Sequence, residues 1–221
     1  MPVEALIFDL DGTLVDTAPD LTAATNFALS LIGRRPISEH EARSIVGHGS
    51  RALIVRGCEV TGGPVDEGTI KRLNIAFLDY YADNIAGHSV VFPGLLNVLN
   101  KARDAGLKLG VCTNKVERLS HKLLAELKMA DYFSAVVGGD TLPIMKPDPA
   151  PYREVALRLG IDPARTMMFG DSETDILTAQ NSSVPVVAVT FGYTPQPVET
   201  FNPTHVISHY DDAWDIIAKY L

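Results

Sequence analysis

Short apolar runs alternate with amphipathic stretches along most of this chain. Residues 5–8, 107–112, 134–137, 166–169, 184–189 and 205–207 form runs in which nearly every position is apolar. Runs of that length with no polar alternation are the pattern of strands buried on both faces. Between them, Leu95, Val98, Leu99 and Ala102 recur at i, i+3, i+4 and i+7, and Leu119, Leu123, Leu124 and Leu127 follow nearly the same spacing. Both sets would line one face of a helix. From about residue 90 onward the β-α-β-α rhythm predicts an α/β fold, a parallel sheet covered by helices on both faces.

The rhythm breaks between residues 16 and 86, where no strand is expected. Residues 19–31 read as a helix. Ser38, with Glu41 three residues on, has the form of a capping box, in which side chain and backbone satisfy each other at a helix start. Residues 51–60 and 65–86 also fit helices, and Gly33, Pro36, Gly47, Gly49, Gly62, Gly63 and Pro64 punctuate the segment. A small helical bundle inserted after the first strand is predicted. The chain returns through residues 87–94, where Pro93 and Gly94 mark a turn into the next helix.

Composition narrows the partners more than the fold. The 221 residues are 46% hydrophobic and 21% charged, ordinary for a folded chain of one large domain plus a modest insert. With 27 acidic and 19 basic residues the net charge is −8, which argues against a nucleic-acid partner. No apolar run reaches the roughly 18 residues of a membrane span, and MPVEALIFDL reads as a strand rather than a signal peptide. Cys58 and Cys112 suggest no disulfide framework and share no short metal spacing. A cytoplasmic setting and a monomer or homodimer are expected.

The chemistry collects where apolar runs end. Asp9 and Asp11 close the first, and Gly12 allows a sharp turn. Two carboxylates that close repel unless a cation or proton offsets them. Asp171 closes the 166–169 run, with Asp175 one helical turn on. Thr113 and Asn114 follow 107–112, and Lys146 precedes a Pro-Asp-Pro helix start. Each has a plain alternative: a solvated Asp-x-Asp-Gly turn, an N-cap at Asp171 or Ser172, a capped strand end, an exposed lysine. In an open parallel sheet, however, ligands gather beyond the carboxyl ends of the strands, where all four clusters would meet. Carboxylate oxygens suit Mg2+, and a lysine and a hydroxyl beside it suit phosphoryl oxygens.

FDLDGTLVDT, VCTNK, KPDP and FGDSETD, in this order, resemble the four motifs of the haloacid dehalogenase-like superfamily. The resemblance implies a Rossmann-like core at residues 1–16 and 87–221 and a helical cap at 17–86. It implies that Asp9 is the nucleophile, forming an aspartyl-phosphate, and that Asp11 is the general acid and then base. Asp9, the Asp11 backbone carbonyl and Asp171 would hold Mg2+, Thr113, Asn114 and Lys146 would bind the phosphoryl group, and Asp175 would act from behind them. Dehalogenases of this fold lack the second carboxylate, because a halide needs no proton; Asp11 therefore points to phosphate esters. RSIVGHGSRALI, VFPGL, TNK, VVGGD and FGY further resemble the branch of bacterial phosphoglycolate phosphatases, implying a small phosphate monoester as substrate. Phosphomutase, pyrophosphatase and sugar-phosphate phosphatase chemistry on the same core are alternatives. His48 and Arg51, around a Gly-His-Gly loop, are candidates for holding the substrate's anionic tail, with a plain helix–helix turn as the alternative. Hinges are expected near Asp16 and Gly87. Ser183 stands where many relatives carry glycine, so that turn is expected to differ locally.

Overall fold

The structure, a computed structural model, describes residues 2–221. The chain runs through β1 (Ala5–Phe8) and β2 (Val15–Asp16) into four helices, α1 (Ala18–Ser30), α2 (Glu39–Arg43), α3 (Ser50–Gly62) and α4 (Glu67–Asp83). It returns through β3 (Val90–Val91), α5 (Leu95–Asp104), β4 (Lys108–Cys112), α6 (Glu117–Glu126) and β5 (Ala135–Val137). The last part comprises α7 (Pro149–Leu159), β6 (Thr166–Gly170), α8 (Glu173–Ser182), β7 (Val186–Val189), β8 (His205–Ile207) and α9 (Ala213–Ile217).

Six strands form one sheet in the order β5-β4-β1-β6-β7-β8, with every neighbouring pair parallel. β1 lies in the middle because the chain builds outward from it first through β4 and β5, then crosses back to β6, β7 and β8. That reversal opens a crevice beyond the carboxyl ends of β4, β1 and β6. The β1 register pairs Phe8 with Val111 on one side and Phe169 on the other, so Asp9 leaves the sheet level with the ends of both neighbours.

The unbroken apolar runs have a direct structural cause. Leu6 and Phe8, with Leu109, Val111 and Val136, face a core closed by Leu95, Val98 and Leu99 of α5, Leu119 and Leu123 of α6, and Ile217 of α9. Ala5 and Ile7, with Cys112, Val137 and Met168, face a second core closed by Tyr152, Val155 and Leu159 of α7 and by Ile176 of α8. Alternate residues of one strand point to opposite faces, and with both faces buried every position must be apolar.

The inserted helices pack on one another through Leu73, Phe77 and Tyr81 of α4, spaced four residues apart, against Ala24 and Ala28 of α1. The capping box forms as expected: the Ser38 side chain accepts from the Glu41 N–H, and Glu41 accepts from the Ser38 N–H. α4 is shorter than expected at both ends. Asp66 caps its start by accepting from the Thr69 N–H, and the helix stops at Asn84.

As expected, no strand lies inside the insert, but a short ribbon brackets it. β2 and β3 pair antiparallel, Val15 with Val91 and Asp16 with Val90, forming a ribbon at the base of the insert. A strand of two residues has no periodicity to read. Asp20 ties the same two connections together: its carboxylate accepts from the His88 N–H, the Ser89 N–H at 2.8 Å and the Ser89 hydroxyl at 2.6 Å. Burial alone would raise the Asp20 carboxyl, but these hydrogen bonds outweigh it and hold the group below its ordinary value.

The turn after α8 does not change course at Ser183. Ser183 itself adopts the left-handed conformation, φ 58° and ψ 40°, and closes the helix as glycine would. An L side chain is strained there, and this one is exposed. Ser183→Gly is expected to stabilise the protein by about 0.5–1 kcal/mol, the relief of strain less the entropy glycine adds to the unfolded chain. A thermal melt that stays level or falls would contradict that reading of the turn.

Candidate active site

Asp9, Thr113 and Asp171 stand just beyond the ends of β1, β4 and β6, and Lys146 enters from the loop between β5 and α7. All four are buried. The Asp9 backbone N–H donates to the Phe169 carbonyl at 2.9 Å, carrying the β1–β6 ladder one step past the strand. Lys146 Nζ lies 2.8 Å from Asp9 Oδ1 and 2.6 Å from Asp175 Oδ1. Carboxylate oxygens of Asp9, Asp171 and Asp175 lie within 4.8 Å of one another. Residues separated by more than 160 positions in sequence thus converge on one point.

The plain reading of the α8 start as an N-cap holds at Ser172, and it serves the site. Ser172 is the N-cap and Asp175 its capping-box partner. Asp175 Oδ2 accepts from the backbone N–H groups of Asp171 and Ser172 and from the Ser172 hydroxyl, leaving Oδ1 for Lys146. The cap therefore aims the residue that positions the lysine. Asp171 is fixed as firmly: Thr13 Oγ1 donates to Oδ1 at 3.0 Å and the Tyr193 N–H donates to Oδ2 at 2.7 Å. Gly12, at φ 84°, is required beside it, since a Cβ there would sit 2.5 Å from Asp171 Oδ2.

Charge in this cluster does not balance. With Asp9, Asp171 and Asp175 ionised beside one ammonium, three negative charges less one positive leave −2. Burial pushes the Asp9 carboxyl up to about 7; Lys146 pulls it back, and Asp175 and Asp11 push it further. Burial, then Asp175 and Asp9, holds Asp171 well above the usual carboxylate range, against the hydrogen bonds from Tyr193 and Thr13. Burial would lower Lys146, but Asp175 and Asp9 hold it above its ordinary value. A divalent cation would bring the total to zero, and an all-oxygen donor set is what a hard cation takes. Asp9 and Asp171 could hold it, with Asp175 behind them orienting Lys146.

Asp11 turns its side chain toward the helical insert. Its Oδ1 accepts from Thr17 Oγ1 at 2.8 Å and from Lys115 Nζ at 3.0 Å, and its Oδ2 accepts from Lys115 Nζ at 3.1 Å. Lys115 Nζ also donates to the Tyr81 hydroxyl at 2.8 Å and lies 4.3 Å from the centre of that ring. Tyr193 draws the insert and the core together. Its hydroxyl donates to Asp16 and accepts from the Thr17 and Ala18 N–H groups, while Arg43 of α2 lies 5.0 Å over its ring and pairs with Asp16 at 2.8 Å.

A cavity of about 40 Å3 lies between sheet and insert, lined by Asp9, Asp11, Thr113 and Lys115 on one side and by Gly47, Ser50, Leu53 and Tyr81 on the other. Asn114 lines it too, but its amide is committed: it donates to the Gly47 and Lys146 carbonyls and accepts from the Lys146 N–H. It pins the lysine loop to the insert, so its side chain positions Lys146 where phosphoryl contact was expected.

His48 and Arg51 are not brought to this cavity. Gly47 at φ 100° and Gly49 at φ 83° fold the loop so that the glycines border the cavity, while His48 lines separate hollows. Ser50 opens α3 on the cavity side. Arg51, a further 100° around the helix, points outward and pairs with Glu67 at 2.6 Å. Lys115, Thr13, Thr17, Tyr81 and Tyr193 were missed. Lys115 lies inside a recognised motif; Tyr81 and Tyr193 reach the site only through tertiary approach.

A carboxylate cluster and a buried lysine thus meet at the carboxyl edge of a parallel sheet. The family model for haloacid dehalogenase-like hydrolases matches residues 6–189, and the chain belongs to that family. It is a phosphoric monoester hydrolase by class. It is 43% identical over 206 residues to a phosphoglycolate phosphatase of Mesorhizobium japonicum, covering 93% of this chain and 91% of the relative. It is 44% identical over 207 residues to one from Caulobacter vibrioides, covering 94% and 87%. A crystal structure of a predicted phosphoglycolate phosphatase from Haemophilus somnus superposes with a TM-score of 0.90 at 30% identity, covering 97% of each chain.

Proposed function

We propose that this protein is a Mg2+-dependent phosphatase acting on a small phosphate monoester, 2-phosphoglycolate, through an aspartyl-phosphate on Asp9. The observation that carries the proposal is the buried Asp9–Lys146–Asp175 arrangement at 2.8 and 2.6 Å beside Asp171. Lys146 orients Asp9 and favours its ionised form against burial. An Asp9 carboxylate oxygen attacks phosphorus, and the ester P–O bond breaks as the aspartyl P–O bond forms. Asp11 gives its proton to the departing alkoxide, which leaves as the alcohol. Asp11 then takes a proton from water as that water attacks phosphorus, releasing inorganic phosphate and restoring Asp9. Mg2+ held by Asp9, the Asp11 carbonyl and Asp171 would neutralise charge on the phosphoryl oxygens. Thr113 and Lys146 would contact those oxygens. We take residues 17–86 as a cap that excludes water, with hinges near Asp16 and Gly87.

The names of the relatives support 2-phosphoglycolate over a sugar phosphate. Phosphate release with Mg2+ tests this. 2-Phosphoglycolate is expected to exceed pyrophosphate, sugar phosphates and nucleoside monophosphates in kcat/KM by about tenfold or more. No release from any of them, or an isomerised sugar phosphate as product, would overturn the proposal.

A further inference from the structure

Lys115 has no part in the steps above, yet it is a buried ammonium at the edge of the reacting atoms. Lys146 sits deeper, committed to Asp9 and Asp175. Among the described residues lining the cavity, Lys115 carries the one cationic side chain. Its Nζ lies 3.0 Å from the Asp11 carboxylate, 2.8 Å from the Tyr81 hydroxyl and 4.3 Å from the centre of the Tyr81 ring. Leu21, Leu53, Phe77 and Leu119 supply apolar wall around it. A charge buried in such a wall needs a partner, and Asp11 serves while no substrate is bound. Asp11 has a second donor on Oδ1, Thr17 at 2.8 Å, so the carboxylate keeps a hydrogen bond when the ammonium turns away.

We propose that Lys115, braced by Tyr81, recognises a second anionic group on the substrate, a carboxylate attached to the carbon that bears the ester oxygen. The inference rests on the phosphomonoesterase reading of Asp9 and Asp11. If the leaving oxygen lies against Asp11 to receive its proton, a carboxylate attached to the carbon that bears that oxygen falls beside the group already 3.0 Å from Asp11. Two acidic residues of the cavity would otherwise repel that anion. The exchange also clears Asp11: while the ammonium sits on both its oxygens it competes with the leaving oxygen for the same carboxylate. An uncharged tail leaves that competition in place. Lys115 therefore sets a preference for phosphorylated short hydroxyacids over alkyl phosphates of the same shape.

The test compares kcat/KM for 2-phosphoglycolate with that for isobutyl phosphate, which has a similar outline and no tail charge, in wild type, Lys115→Met and Lys115→Arg. Wild type is expected to favour 2-phosphoglycolate. Lys115→Met is expected to lower the ratio on the order of 30-fold, the scale of a charge-assisted hydrogen bond, and Lys115→Arg to restore most of it. Tyr81→Phe, which removes the bracing hydroxyl and no charge, is expected to lower the ratio on the order of threefold. It keeps the test open if Lys115→Met does not fold. Equal losses on both substrates, or an unchanged ratio, would overturn the proposal. So would a wild type that hydrolyses both substrates equally well, which would leave the phosphatase reading standing. A wild type that hydrolyses neither would remove that reading and the proposal with it.

Discussion

Asp9→Asn is expected to lower kcat by about 10^4-fold or more on any phosphate ester, with the fold intact. The amide keeps the size of the side chain and can still accept from Lys146, but it is too weak a nucleophile to attack phosphorus. The substitution is not expected to destabilise the metal-free protein. It removes one of three crowded, buried carboxylates, and burial with Asp175 and Asp11 already makes ionisation of Asp9 unfavourable. Activity within tenfold of wild type, measured on protein with an unchanged melt, would assign the chemistry to another group.

Chelation of divalent cations is expected to abolish turnover, and added Mg2+ to restore it. A second readout is independent of turnover. At a cation concentration about 100 times Kd, binding to the folded state alone stabilises by about 2.7 kcal/mol, or about 5–10 °C in Tm for a chain of this size. Protons compete for the same oxygens. In the metal-free protein the Asp9 carboxyl is raised from near 4 to about 7, so its contribution is fully present below pH 4 and is lost as pH rises through 7. The Tm gain from Mg2+ should therefore grow between pH 5 and pH 8. A gain that shrinks over that range, or full activity in chelator, would contradict the carboxylate site.

The parts of the fold that were legible in the sequence share one property. The strands of the main sheet coincide with nearly all-apolar runs because alternate residues face opposite cores, as Leu6 and Phe8 face one while Ala5 and Ile7 face the other. Asp9, Thr113 and Asp171 were legible because each follows the end of an apolar run, and Lys146 because it precedes a Pro-Asp-Pro helix start. Asp175 shows why the motif and the plain helix cap need not compete: one carboxylate closes the helix with one oxygen and holds Lys146 with the other.

What was not legible depends on tertiary approach. The β2–β3 ribbon joins two residues to two across the whole insert. Tyr193 is aimed by a loop whose Gly192 leaves no room for a Cβ against Asp171. His48 and Arg51 lie away from the cavity, since Gly47 and Gly49 turn the loop and Glu67 holds the guanidinium outside. Asn114 was chosen for the right loop, but its amide is spent on Gly47 and Lys146.

The central claim, a covalent intermediate on Asp9, is tested most directly by quenching the enzyme during turnover of 2-phosphoglycolate and reducing it with borohydride. Borohydride converts an acyl phosphate to the alcohol, so peptide mapping is expected to find homoserine at position 9 in wild type and aspartate there without substrate. Homoserine at another acidic position, or none in protein that is turning over, would contradict the assignment.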